Sequence, residues 1–219
     1  MLFRSMAHLT CVESPVDALR EEVDRLLAAG IENILALRGD PPKGQEGFQP
    51  HPQGFRHASE LIGFLRGRGE FCLGGACYPE GHPECPDRGL GLEHLKAKVA
   101  AGADFLITQL FFENTDYFAF IESARRRGIT APILPGIMPV TNIGQVKRFT
   151  ELCGASLPAE LLERLEATGG DPLKVPTVGV DWAIKQCRKL LAAGAAGIHF
   201  YTLNHSPAAR AVFQALRAG

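Results

Sequence analysis

Apolar residues along this chain fall into two alternating rhythms. Short unbroken runs, such as Asn33-Ile34-Leu35-Ala36-Leu37, are too brief for helices and lack a polar face, so they predict strands buried on both sides. Between them lie longer stretches with apolar positions three and four apart, as at Val16, Leu19, Val23, Leu26 and Leu27, which predict amphipathic helices. The pattern places strands over 7–11, 31–37, 71–76, 103–109, 132–137 and 197–201. Helices are expected over 15–30, 57–66, 92–101, 114–127, 142–153, 157–168, 178–193 and 206–216, the first capped by Ser14 with Pro15 at its first position. The helix over 114–127 is expected to present Tyr117, Phe118, Phe120 and Ile121 inward.

Punctuation residues support this division. Gly30, Gly102, Gly128 and Gly194 each follow a predicted helix and precede an apolar run, the place for a left-handed helix terminus. Residues 41–55 are rich in Pro, Gly and Gln and predict a long mobile loop, while two prolines in Tyr78-Pro79-Glu80-Gly81-His82-Pro83-Glu84 exclude helix and strand there. Strict strand–helix alternation means a parallel sheet with helical crossovers. The short apolar strands favour an α/β fold of (β/α)8 TIM-barrel type over an open doubly wound sheet, with about six of the eight strands present in this chain. Residues 1–219 are expected to form a single, incomplete barrel domain.

Composition narrows the function. A net charge of −1 and a pI near 6.7 give no case for nucleic acid or an anionic membrane as partner. No stretch approaches a transmembrane span, and the first six residues lack the apolar core of a secretory signal, which points to the cytoplasm. The six cysteines, among which is no Cys-x-x-Cys pair, are expected as buried reduced thiols. Cys77, His82, Cys85 and His94 fit no zinc spacing, so no metal is expected.

Candidate chemistry collects at the carboxyl ends of the predicted strands, where α/β proteins carry their sites. The series runs His8 and Thr10, then Arg38 and Asp40, then Tyr78, Glu80 and His82, then Thr108 and Gln109. It ends with Pro139, Thr141, Asn142 and Gln145, then Tyr201, Thr202 and Asn204. Neutral hydrogen-bonding groups and aromatics dominate, suiting a large, flat, polar-edged ligand. No strand-end lysine is available for a Schiff-base aldolase, because Lys96 and Lys98 fall on a helix, where an exposed cationic face is expected.

The strand-end motifs carry a resemblance. His8-Leu9-Thr10-Cys11, Ala36-Leu37-Arg38-Gly39-Asp40 and Tyr78-Pro79-Glu80-Gly81-His82-Pro83-Glu84 are followed by Ile107-Thr108-Gln109-Leu110-Phe111-Phe112, Pro135-Gly136-Ile137-Met138-Pro139 and His199-Phe200-Tyr201-Thr202-Leu203-Asn204. In this order the chain resembles the methylenetetrahydrofolate reductase family, flavoprotein barrels that reduce 5,10-methylenetetrahydrofolate to 5-methyltetrahydrofolate and so supply methionine synthesis. The resemblance implies FAD as cofactor, NADH or NADPH as co-substrate, a folate substrate and a homo-oligomer. It assigns FAD contacts to His8, Arg38, Gly39, Asp40, His57, Ala58, Tyr78, His82, His94 and Lys98, the last at the pyrophosphate. Asp40 and Gln109 become the catalytic pair, and Asp40, Gln109, Gln145, Tyr201 and Leu203 the substrate contacts, with Phe149 a stacking or core residue. Gly91 stands where the family has an aspartate and His205 where it often has arginine, so one FAD bond and one contact to the folate tail are expected to be weaker. The match begins at the family's third strand, without the first-strand glutamate that protonates the folate. A truncated, non-catalytic paralogue that keeps flavin or oligomer contacts is the alternative.

Overall fold

The computed structural model describes residues 5–41, 44 and 47–218. Among the described residues, seven strands and eight helices follow one another: β1 (Met6–Thr10), α1 (Val16–Ala28), β2 (Asn33–Leu37), α2 (Ala58–Arg66), β3 (Cys72–Cys77), α3 (Arg88–Ala100), β4 (Phe105–Thr108), α4 (Asn114–Arg126), β5 (Ile133–Leu134), β6 (Gly136–Ile137), α5 (Ile143–Cys153), α6 (Ala159–Glu166), α7 (Lys174–Ala192), β7 (His199–Phe200) and α8 (Pro207–Arg217). The strand order is β1-β2-β3-β4-β5 in one sheet and β6-β7 in a second. This is the expected α/β alternation of barrel type, although the described residues form no closed barrel. None of their helices is long and apolar enough to cross a membrane.

Two compact units divide the chain. The first comprises Met1–Cys77, Leu92–Leu106 and Ile129–Pro132, the second Tyr78–Gly91, Ile107–Gly128 and Ile133–Gly219. In the first, β1, β2 and β3 run parallel in register, with Leu9 opposite Ala36 and Ile34 opposite Leu73. Leu19, Val23, Ile34, Ala36, Leu61, Ile62, Leu65 and Leu73 are buried there, the inward face that the helical and strand periods prescribe. The Asp104 carboxylate accepts from Leu73 N and from Arg66 Nη2, both at 2.7 Å, and so fastens the start of β4 beside β3.

In the second unit, β6 and β7 pair in parallel, and Leu110, Phe112, Met138, Val140, Val146, Leu161, Leu165 and Val175 form a core cluster. Gly179 brings α7 against the backbone of Val140; a Cβ at that position would lie 2.0 Å from the Val140 carbonyl oxygen.

Local details adjust the sequence expectations. The run 132–137 is two short strands rather than one, because Pro135 has no N–H to donate to a ladder. Helix α3 starts four residues earlier than its apolar period, since the Asp87 side chain accepts from Gly89 N and Leu90 N and caps it. Helix α7 also starts early, at Lys174, with Pro176 tolerated in its first turn. Ser14 does not cap α1: its hydroxyl donates to Val12 O, and Pro15 occupies the cap position. On α4 only Tyr117 of the four named aromatic and aliphatic residues is fully buried, and Phe118 is exposed. Gly30, Gly102, Gly128 and Gly194 all have positive φ, as their helix-end positions require. Part of the 41–55 loop, at residues 42, 43, 45 and 46, lies outside the described residues.

Candidate functional site

In the first unit, the candidate residues surround the turn after β2. Cys11 N donates to Leu37 O at 3.2 Å, and its thiol reaches Leu37 O and Arg38 O at 3.4 and 3.3 Å. The end of β1 thereby holds the turn, a role that the expectation of a plain buried thiol overlooked. Burial pushes the Cys11 thiol pKa up, consistent with a structural cysteine. Gly39 has φ +88°, and a Cβ there would lie 2.6 Å from Val12 Cγ1, so both backbone and space demand glycine. The Arg38 guanidinium lies 4.6 Å from the centroid of the Phe48 ring. Asp40 is exposed beyond the turn.

His8 is exposed within β1 rather than past its end. His57 precedes α2, where Glu60 Oε2 accepts from its N–H, and its ring lies 6.0 Å from that of His94 on α3. Ala58 is only 5% exposed, so its side chain belongs to the core and only its backbone could meet a ligand.

Lys98 departs from the exposed face expected of it. It lies three residues after buried Leu95 on the inward side of α3, and its ammonium donates to Ala76 O at 2.7 Å. Burial holds its pKa below the ordinary lysine value, while neighbouring Cys77 is pushed up to about 12 by burial. Among the described residues no carboxylate is paired with it.

In the second unit, the Tyr78 and His82 rings meet edge to face at 4.5 Å across a turn made by Gly81 at φ +99°. Glu80 Oε2 accepts from Ser156 N at 2.7 Å, which ties this segment to the chain between α5 and α6. Glu80 Oε1 is buried and has no hydrogen-bond partner among the described residues, and burial, the largest influence, raises the Glu80 pKa.

After β4, Gln109 is half-buried, and its Oε1 accepts from Leu110 N at 2.9 Å. Tyr201, just past β7, donates its hydroxyl to Thr108 O at 2.8 Å, and Gly136 N donates to Thr108 Oγ1 at 2.8 Å. Asn142 caps α5 by accepting from Gln145 N. A cleft of about 330 Å³ opens here, lined by Thr141, Asn142, Gln145, Tyr201, Leu203 and His205 among others. Leu203 and Asn204 have φ of 49° and 60°, a left-handed stretch uncommon for leucine and typical of strained functional loops. Gln109 does not line this cleft. Phe149 packs on the core cluster, so its packing role is the one seen. No group of three His, Cys, Asp or Glu side chains among the described residues is placed to hold a metal.

A family model described as methylenetetrahydrofolate reductase matches residues 2–217. The chain belongs to that family. Curated relatives include methylenetetrahydrofolate reductase (NADH) 1 of Arabidopsis thaliana, 38% identical over 211 residues that cover 91% of this chain and 36% of the plant protein. The probable methylenetetrahydrofolate reductase (NADPH) of Caenorhabditis elegans is 40% identical over 216 residues, covering 97% and 32%. The 5,10-methylenetetrahydrofolate reductase of Pectobacterium carotovorum is 35% identical over 209 residues, covering 95% of this chain and 68% of the bacterial one. This methylenetetrahydrofolate reductase-family chain thus spans roughly a third of the length of its eukaryotic relatives (36% and 32% in those two). Among solved structures, an uncharacterised Clostridium thermocellum protein described as binding two copies of 5-methyl-5,6,7,8-tetrahydrofolic acid shares the fold, with a TM-score of 0.52 at 13% identity over 97% of this chain and 94% of that one.

Proposed function

We propose that this chain is an FAD-dependent methylenetetrahydrofolate reductase, taking hydride from NADH or NADPH and delivering it to 5,10-methylenetetrahydrofolate. The observation that carries the reading is the family match across residues 2–217. The residues also fit an anionic, flat cofactor: an inward ammonium (Lys98) with no paired carboxylate among the described residues suits a pyrophosphate, and a turn that only glycine can make (Gly39) allows close approach of backbone to a ring.

FAD, when bound, supplies the two-electron relay between nucleotide and folate. On this reading Lys98 compensates the pyrophosphate charge, while His8, Arg38, Gly39, His57, the backbone at Ala58, and His94 contact the cofactor from the first unit. The family resemblance also gives Tyr78 and His82 cofactor contacts. The Asp40 carboxylate favours positive charge developing on the folate and disfavours negative charge on a neighbouring ring, an electrostatic contribution that needs no proton transfer by Asp40 itself. Gln109 offers its amide to the pterin and, in the alternate half-reaction, to the nicotinamide. Gln145, Tyr201 and Leu203 shape the cleft that orients the ring being reduced. The same reading places the reaction in the cytoplasm and the chain in a homo-oligomer.

The test is spectroscopic. The purified chain, reconstituted with FAD, is mixed anaerobically with NADH or NADPH and then with methylenetetrahydrofolate. Loss of the yellow absorbance followed by its folate-dependent return supports the proposal. A chain that binds no flavin overturns it, and flavin binding with no return on adding folate restricts the chain to a non-catalytic relative.

A further inference from the structure

Strand β4 ends at Thr108, yet the segment after Gln109 stays inside the protein: Leu110, Phe111 and Phe112 are 6%, 1% and 3% exposed and belong to no strand or helix. Buried irregular backbone needs partners for its carbonyls. Helix α7 provides them. Gln186 Nε2 donates to Phe111 O at 3.0 Å, and Trp182 Nε1 donates to Phe112 O at 3.3 Å. From the other side, Asn114 Nδ2 donates to the Gln186 carbonyl at 3.1 Å, so the end of the segment is tied to the same helix.

Residues 182 and 186 are one helical turn apart and share a face with buried Gly179, Ala183 and Leu190. An amide on that stripe is costly unless hydrogen-bonded, and Gln186 is 5% exposed. A leucine would fill the position without that cost. The carbonyl that Gln186 reaches is therefore what explains a glutamine at this place.

The segment held this way begins at Gln109, whose Oε1 accepts from Leu110 N. The path of residues 110–112 thus fixes which way the Gln109 amide faces. We propose that Gln186 and Trp182 are positioning residues: together they set the backbone after β4 and, through Leu110 N, orient Gln109 towards its substrate. The catalytic half of this statement rests on the function proposed above; the mechanical half does not.

The full chain is compared with Gln186→Leu, Trp182→Phe, Gln109→Ala and the Gln186→Leu/Gln109→Ala double variant. Amide hydrogen exchange should accelerate about tenfold at residues 110–113 in Gln186→Leu, with β1 and β2 unchanged. The kcat for folate reduction should fall roughly tenfold or more in Gln186→Leu, yet by less than about twofold when the same change is added to Gln109→Ala, because the positioned group is already gone. An equal loss in both backgrounds means a merely structural role and overturns the proposal. Should Gln186→Leu fail to fold, Trp182→Phe, which keeps an aromatic ring while removing the donor and part of the indole's bulk, must show the same pattern at smaller size. Should the parent chain turn over no folate, the function proposed above is what fails; unchanged exchange at 110–113 then overturns the positioning claim on its own.

Discussion

Gly136→Ala tests the knot that joins β4, β6 and β7 in the second unit. A Cβ at 136 would sit 2.3 Å from Thr108 O and 2.6 Å from Tyr201 Cε2, both far inside van der Waals contact. Neither neighbour can yield cheaply. Thr108 is fully buried in its strand, and the Tyr201 ring is tethered by its own hydroxyl to the same carbonyl at 2.8 Å. Overpacking of this kind costs about 1–3 kcal/mol. Moving the ring also breaks the Tyr201 bond and strains the Gly136 N to Thr108 Oγ1 bond, each worth about 1 kcal/mol. The sum is about 3–5 kcal/mol, a large part of the ~5–15 kcal/mol that holds an ordinary domain together. In urea unfolding followed by far-UV circular dichroism, a slope near 2 kcal/mol/M converts this to a midpoint roughly 2 M lower. Tyr201→Phe, which keeps the ring and loses one bond, should cost only about 1–2 kcal/mol. A Gly136→Ala midpoint that implies less than about 0.5 kcal/mol would refute the close approach.

Three further outcomes follow from other sites. Gly179→Ala should destabilise by about 3 kcal/mol in the same assay, because its Cβ would meet the Val140 oxygen, carbon and nitrogen at 2.0, 2.7 and 2.7 Å; a neutral result contradicts the helix packing. Glu80 has a raised pKa, so the folded state holds its proton more tightly than the unfolded chain and loses that advantage as pH rises through the folded value. Glu80→Gln, which still accepts from Ser156 N, should therefore gain stability relative to the parent as pH rises from about 4 through the folded value, and a difference independent of pH would count against a buried carboxylate. Asp40→Asn should slow folate reduction roughly tenfold to a hundredfold while flavin reduction by the nucleotide changes much less; equal losses in the two half-reactions would remove Asp40 from the folate step.

The alternation of strands and helices was legible because each element's apolar residues obey one period and several helices close on a glycine. Boundaries slipped where a side chain, rather than the period, sets them. Asp87 starts α3 ahead of its first apolar residue, and Pro135 cuts a continuous apolar run into β5 and β6. Arg38 and Gly39 were readable as special from a charged residue and a glycine at a strand end, and Gly39 has the backbone that this position implies. Lys98 was misplaced on an exposed face because a charged residue on a helix is usually solvated; its offset of three from Leu95 was the overlooked signal. Gln186 and Trp182 were invisible as partners of the β4–α4 segment, since sequence gives no register between residues some seventy apart. An amide on the apolar stripe of α7 was nonetheless a trace of it.

Gln109 and the cleft beside Tyr201 are proposed to serve folate and nucleotide in turn, and steady-state kinetics with both substrates varied tests this most directly. Alternating use of one site predicts parallel double-reciprocal lines, with high folate inhibiting competitively against the nucleotide. Intersecting lines, with folate and nucleotide bound together, would contradict it.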